Sequence, residues 1–150
     1  MFETVVIATD GSESVERAVA VALDLAARFD ATVHALYVID GSDVEGSPEQ
    51  VRDDLRDALE TAGEEALEAV VEHADRDVAT AVREGKPATE ICEFVDDVDA
   101  DVVAMGTRGR HGEHSFLLGS VAEAVVRRCP TPVLTVRQLE ADEEPPTGRP

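Results

Sequence analysis

The chain has 150 residues, 43% of them hydrophobic, and its 33 acidic side chains against 13 basic ones give a formal net charge of −20. This length suits one well-buried domain and is too short for two ordinary ones. The acidic excess argues against the basic stripe that nucleic-acid binding needs, and no apolar run approaches the roughly 20 residues of a membrane span. We therefore expect one soluble, cytoplasmic domain without nucleic-acid or membrane partners.

The charge itself predicts an acid-coated folded surface. Lys86 is the only lysine in the chain, yet apolar residues are abundant and periodic, which argues against disorder. At about 1 M salt the Debye length falls to roughly 3 Å, so repulsion between neighbouring carboxylates is muted. The composition therefore favours a halophilic, salt-rich cytosol.

Apolar periodicity predicts five strands that alternate with four helices. The strands are expected within residues 1–9, 31–39, 77–83, 101–105 and 132–136. Ser12 or Ser14 is expected to cap the first helix. The helices are expected to carry apolar positions over residues 15–26, 51–70, 88–95 and 120–128. A polar, glycine-containing loop is predicted over residues 40–48, between the second strand and the long helix.

This alternation predicts the fold class. Successive parallel βαβ units with right-handed crossovers give a doubly wound α/β sheet with helices on both faces, hence three layers. We expect one domain over residues 1–138 with a five-stranded, mainly parallel sheet in the order 3-2-1-4-5. Residues 139–150 lack periodicity, are acidic and proline-rich, and are predicted to form a disordered tail.

A glycine-punctuated loop after the fourth strand is the strongest functional signal. Gly106 and Gly109 are followed, after nine intervening residues, by Gly119 and Ser120 at the expected start of a helix, where Glu123 has the spacing of a capping box. Free N–H groups and the positive end of the helix dipole attract anions there. A lone Gly-x-x-Gly is more often a tight connection, but the full spacing favours a phosphate site.

The predicted strand order brings a second glycine turn to the same place. Ligands of doubly wound sheets bind beyond the carboxyl ends of the strands, where the strand order reverses. The first and fourth strands flank this point, and they end at Thr9-Asp10-Gly11 and Met105-Gly106-Thr107. We therefore expect these two segments to form one crevice.

The motif resembles the ATP-binding motif of the universal stress proteins. The resemblance spans residues 2–137 and includes the opening Val-Val-Ile-Ala-Thr-Asp-Gly-Ser, the Leu-Tyr-Val-Ile-Asp end of the second strand, the Gly-Lys-Pro turn and the Cys-Pro-Thr-Pro-Val-Leu lead into the last strand. It implies a fold like that of the adenine nucleotide alpha hydrolases, with ATP, or AMP or ADP, as ligand. It also implies a homodimer built partly through the last strand, Val133–Val136.

The resemblance assigns roles to individual positions. Asp10 would contact the ribose, and Val38 would supply a backbone contact to adenine. The base pocket would be lined by Ala8, Thr9 and Met105. The phosphates would be held by Gly106, Gly109, Gly119, Ser120 and Val121. Arg108, in the loop, adds a positive charge that suits the phosphates, although the family motif does not supply it.

Alternatives remain open for several of these residues. Asp10 can also cap the first helix, or hold a Mg²⁺ that accompanies ATP. Val38 and Met105 are ordinary core residue types. No Walker motif and no nucleophile–base grouping is evident, so we expect a nucleotide-responsive binding module. A slow ATP hydrolase, a nucleotide-transferring enzyme, or a family member that acts only through protein contacts are the alternatives.

Overall fold

The structure is a computed structural model that describes residues 2–107 and 118–139. Its strands and helices alternate along the chain as the sequence predicted, except that two helices lie between the second and third strands. The strands are β1 (Thr4–Ala8), β2 (Thr32–Asp40), β3 (Val78–Gly85), β4 (Val102–Gly106) and β5 (Val133–Val136). The helices are α1 (Glu16–Phe29), α2 (Gly41–Glu45), α3 (Arg52–His73), α4 (Pro87–Asp97) and α5 (Ser120–Arg128). Short 3₁₀ turns at Glu13–Val15 and Glu49–Val51 lead into α1 and α3.

The five strands form one sheet in the order β3-β2-β1-β4-β5, and every neighbouring pair is parallel. This confirms the predicted doubly wound α/β class and the predicted strand order. The order reverses between β1 and β4, so the connections that leave the carboxyl ends of these two strands run to opposite faces of the sheet and leave a crevice between them. That crevice is the expected place for a ligand.

Two apolar clusters cover the two faces of the sheet, because alternate strand residues point to opposite faces. On one face, Val5 and Ile7 pack with α1 and α3. On the other face, Val6 and Val103 pack with α4 and α5. The central strands are buried on both faces, which explains their continuous apolar sequence.

The prediction of a loop over residues 40–48 is wrong for the first half of this segment. Residues Gly41–Glu45 form the short helix α2, because the Asp40 side chain caps it by accepting a hydrogen bond from the Ser42 N–H. Val44 of this helix is buried in the core. A stretch rich in Asp, Gly and Ser is typical of loops, and a helix of one turn leaves too little periodicity to be recognised.

Three predicted helix details are also wrong. Neither Ser12 nor Ser14 caps α1 through its side chain, since α1 follows a 3₁₀ turn and begins at Glu16. Gly119 rather than Ser120 is the N-cap of α5, so the predicted capping box with Glu123 is absent. Val51, expected on the apolar face of the long helix, is 44% exposed because it lies in the turn before α3.

Residues 140–150, most of the predicted tail, lie outside the described residues, so the predicted domain boundary stays a prediction. Within residues 2–107 and 118–139, no helix combines the length and the apolar character of a membrane span.

Candidate functional site

A crevice opens at the carboxyl ends of β1 and β4, where the strand order reverses. It is walled by residues from both segments that the sequence predicted to converge, and by the start of α5. The crevice brings together nine of the eleven candidate contacts. These are Ala8, Thr9, Asp10, Val38, Met105, Gly106, Gly119, Ser120 and Val121. The other two, Arg108 and Gly109, lie outside the described residues.

The end of β1 is held in a fixed turn. Thr9 is buried, and its hydroxyl accepts a hydrogen bond of 3.1 Å from the Gly11 N–H. The Asp10 Oδ1 accepts from the Ser12 N–H at 2.9 Å and from the Ser12 hydroxyl at 2.6 Å. Gly11 has φ of +78°, a conformation that glycine adopts without strain. Asp10 therefore stabilises the turn itself, and does not cap α1.

This turn leaves backbone groups of β2 facing the crevice. The Leu36 carbonyl accepts from the Thr9 N–H at 2.9 Å, so Leu36 and, two residues on, Val38 direct their backbone groups toward β1. The Gly11 N–H would continue this ladder to Val38, but it donates to the Thr9 hydroxyl. The N–H and C=O of Val38 thus face the space beyond the end of β1. A planar base with a donor and an acceptor on one edge fits such a pair.

The start of α5 offers backbone N–H donors to the crevice, but the Gly119 N–H, contrary to expectation, is not one of them. The Gly119 N–H donates to the Thr107 carbonyl at 2.6 Å, so this group is already used within the protein. The first intrahelical acceptor is the Gly119 carbonyl, which bonds the Glu123 N–H at 2.9 Å. The N–H groups of Ser120, Val121 and Ala122 therefore have no carbonyl partner within the helix. They are the groups suited to an anion.

Several lining residues were not predicted from the sequence. Pro87 and Ile91 reach the crevice from α4, and Leu59 reaches it from α3. These residues are ordinary apolar helix positions, so only the packing of the helices on the sheet reveals their place. Together with Val38 and Met105 they give the crevice an apolar wall that suits a nucleobase.

A second Asp-Gly-Ser segment borders the crevice at the end of β2. The Asp40 Oδ1 accepts from the Ser42 N–H at 3.0 Å and from the Ser42 hydroxyl at 2.7 Å, repeating the arrangement at Asp10 and Ser12. The Asp-Gly-Ser tripeptide occurs at the ends of both β1 and β2, and this repeat is visible in the sequence. Asp40 and Asp43 line the crevice beside Asp10.

Among the described residues, the lining of the crevice therefore combines the carboxylates of Asp10, Asp40 and Asp43 with the positive end of the α5 dipole. Among the described lining residues there is no basic side chain. Within the described part of the chain no three His, Cys, Asp or Glu side chains group as a metal site. A single carboxylate with phosphate oxygens would still suit Mg²⁺, so Asp10 as its ligand stays a prediction.

The sequence matches the universal stress protein family over residues 1–137. The chain belongs to this family. Universal stress protein MJ0531 of Methanocaldococcus jannaschii is 39% identical over 142 residues, which cover 92% of this chain and 84% of that protein. The family membership confirms the resemblance seen in the sequence.

Solved structures share the fold. Hypothetical protein MJ0577 superposes with a TM-score of 0.82 at 26% identity, covering 94% of this chain and 99% of its own. A universal stress protein solved in complex with cAMP superposes with a TM-score of 0.67 at 28% identity, covering 92% of this chain and 98% of its own. UspA from Lactobacillus plantarum, at 23% identity and a TM-score of 0.76, shares the α/β fold.

Proposed function

We propose that this universal stress protein binds an adenine nucleotide in the crevice between β1 and β4 and acts as a nucleotide-responsive binding module in the stress response. ATP is the expected ligand, with AMP and ADP as alternatives. The convergence of nine candidate contacts in one crevice supports the proposal most strongly. The family member in complex with cAMP supports an adenine nucleotide as the ligand class.

Each part of the nucleotide has a suitable partner. The base would lie between Met105 and the apolar side chains of α4, with one edge on the N–H and C=O of Val38. The ribose would lie near Asp10, because a carboxylate accepts from hydroxyl groups. The phosphates would lie at the start of α5, where the N–H groups of Ser120 and Val121 and the helix dipole favour negative charge.

Binding rather than rapid turnover is the expected activity. The sequence has no Walker lysine, and Lys86 lies in the turn before α4. The donors at Ser120 and Val121 would hold phosphates in the ground state as well as in the transition state, which by itself does not accelerate cleavage.

Incubation of the protein with ATP and Mg²⁺ in multimolar salt tests the proposal. We expect about one nucleotide retained per chain with negligible ADP formed. Sustained ADP production would favour a hydrolase instead. Failure to retain ATP, AMP or ADP would contradict the proposal and favour a family member that acts through protein contacts.

We also propose a homodimer through β5. This strand is at one edge of the sheet, and Val133 and Leu134 pack toward opposite faces of the sheet while remaining partly exposed. A second copy would cover this edge.

We also propose that the protein is cytoplasmic, which cell fractionation can test.

A further inference from the structure

A second groove, the α1–α3 groove, lies on the face of the sheet that α1 and α3 cover. Its volume is about 590 Å³, within the range of small-molecule sites in proteins. It adjoins the nucleotide crevice, because Thr9, Asp10, Val15 and Tyr37 line both spaces. The first turn of α5, where the phosphates would lie, does not line it. The groove is therefore a separate space that the proposed nucleotide does not fill.

Contacts at both ends fix the distance between the two helices. At the carboxyl edge of the sheet, Gly11 lies close to α3, since a Cβ at this position would be 3.1 Å from the Cβ of Ala66. Beyond the other end of the groove, the Arg76 Nη1 donates to the Ala26 carbonyl at 3.2 Å, and its Nη2 donates to the Asp30 Oδ1 at 2.6 Å. The groove is thus set by the packing of the helices and is formed before any ligand binds.

The walls of the groove are apolar. Val15 and Val19 of α1 and Val70 of α3 are buried in the same core cluster as the Tyr37 ring. Small side chains on α3 leave the space between the helices open, and these are Ala62, Ala66 and Ala69. From residue 62 to His73 the helix rises by roughly 16 Å. An elongated apolar group therefore fits the groove.

The rim of the groove is negatively charged. Asp10 lies at the end that adjoins the crevice, and Glu16 and Glu65 are exposed lining residues of α1 and α3. Neither Glu16 nor Glu65 forms an ion pair with a described side chain. Among the described lining residues there is no lysine or arginine, and His73 is the one basic group. The rim therefore attracts an organic cation and repels an organic anion.

We propose that the α1–α3 groove binds an elongated organic cation that has an apolar body and an ammonium group. The apolar body lies along Val15, Val19 and the alanines of α3, where its removal from water favours binding. The ammonium group lies at the rim beside Glu16 and Glu65. This proposal does not depend on the nucleotide, because none of the phosphate donors belongs to the groove.

Isothermal titration with octyltrimethylammonium, in the absence of nucleotide, tests the proposal. Octyl sulfate and octyl glucoside carry the same apolar chain on an anionic and a neutral group. The KCl concentration is the lowest that preserves the circular dichroism spectrum of the folded protein, because salt screens the carboxylates. We expect one cation per chain, bound roughly tenfold more tightly than the anion, with the neutral glycoside between them.

Two pairs of variants locate the ligand. Ala69→Leu narrows the groove and should lower the affinity for the cation roughly tenfold or more, whereas Ala20→Leu, at an exposed position of α1 that does not line the groove, should bind as wild type does. Glu65→Gln should lower the affinity for the cation about threefold and leave that for the glycoside unchanged. Glu68→Gln removes the same charge from an exposed position of α3 outside the groove and should change neither affinity.

Four results would overturn the proposal. They are no binding of the cation, equal affinity for the cation and the anion, unchanged affinity in Ala69→Leu, and equal losses in Glu65→Gln and Glu68→Gln. Unchanged affinity in Ala69→Leu would place the cation elsewhere on the protein, and equal losses in the two glutamine variants would show attraction by the surface as a whole. Since no nucleotide is present, failure here is distinguishable from failure of nucleotide binding.

Discussion

The N–H of Gly119 donates to the carbonyl oxygen of Thr107 over 2.6 Å, which joins the end of β4 to the start of α5. Both residues line the crevice. The bond holds the first turn of α5 at the carboxyl end of β4 and consumes the Gly119 donor. The N–H groups of Ser120, Val121 and Ala122 are left to receive an anion. The roles of these donors can be tested one at a time.

Ser120→Pro should weaken ATP binding without breaking α5. Proline removes the Ser120 N–H, and it is tolerated at the first position of a helix. Gly119 has φ of −66° and ψ of 163°, a conformation that suits a residue before proline. Because hydrogen bonds to charged groups contribute about 1.5–3 kcal/mol, we expect the affinity for ATP to fall roughly tenfold or more. Isothermal titration measures this change.

Adenosine is the control ligand for this variant, because it has no phosphates. Its affinity should be the same for wild type and Ser120→Pro. Ser120→Ala, which keeps the N–H and loses only the hydroxyl, should bind ATP more tightly than Ser120→Pro. Equal losses for ATP and adenosine would show that the helix start does not hold the phosphates.

Asp10→Asn should separate the structural role of Asp10 from its role toward ribose. Asparagine keeps a side-chain oxygen that can accept from Ser12, so the turn and the melting temperature should change little. Loss of the charged acceptor should lower ATP affinity by roughly tenfold. The affinity for 2′,3′-dideoxy-ATP, which lacks the ribose hydroxyls, should stay the same. A loss of the same size for both ligands would contradict a ribose contact.

Gly63→Ala should destabilise the protein. A Cβ at position 63 would lie 2.6 Å from Cδ1 of Tyr37, whose ring is fully buried beneath α3. Overpacking of this kind costs about 1–3 kcal/mol, although Gly→Ala in an open helix normally stabilises by about 1 kcal/mol. Urea denaturation measures the difference. Glu64→Ala, at the adjacent exposed position, should be nearly neutral, and a more stable Gly63→Ala would contradict the packing of Tyr37.

Thr135→Pro should dissociate the proposed dimer. The carbonyls of Pro132 and Val136 accept from Val103 and Thr107 beside β4, so the intervening Thr135 directs its N–H to the open edge. Proline at 135 removes this donor and leaves the bonds to β4 in place. By sedimentation equilibrium we expect dimers for wild type and Thr135→Ala, and monomers for Thr135→Pro. A monomeric wild type, or a dimeric Thr135→Pro, would contradict pairing through β5.

The melting temperature should rise by several degrees between dilute buffer and multimolar KCl. With a net charge of −20, carboxylates on the surface repel one another until salt screens them. Ion pairs such as Arg28–Asp24, whose side chains are 73% and 63% exposed, contribute little and offset little of this repulsion. A melting temperature that is indifferent to salt would contradict the halophilic interpretation.

The sequence was most informative where the local signal was strong. A helix over residues 120–128 was predicted from apolar positions, and the structure gives α5 the same bounds. The strand order 3-2-1-4-5 was expected for a doubly wound sheet, although apolar periodicity alone does not establish it, and the structure has this order. The place of the candidate residues in the crevice followed from the strand order, because the carboxyl ends of parallel strands lie at one edge of the sheet.

The remaining features depend on individual hydrogen bonds, some between neighbouring residues and some between residues far apart in the sequence. The helix Gly41–Glu45 begins at a cap from Asp40, and its five residues are too few for a periodic signal. The donor of Gly119 is used by Thr107, which only the meeting of β4 and α5 reveals. The backbone of Val38 faces the crevice because the Gly11 N–H donates to the Thr9 hydroxyl and does not continue the hydrogen-bond ladder between β1 and β2. Each depends on an individual hydrogen bond, which composition and periodicity do not encode.

A crystal structure of the protein soaked with ATP tests the central claim most directly. We predict density for one nucleotide in the crevice between β1 and β4, with the base edge on the Val38 backbone and phosphate oxygens within hydrogen-bond distance of the N–H groups of Ser120 and Val121. An ATP molecule bound elsewhere, or an empty crevice at saturating ATP, would contradict the account.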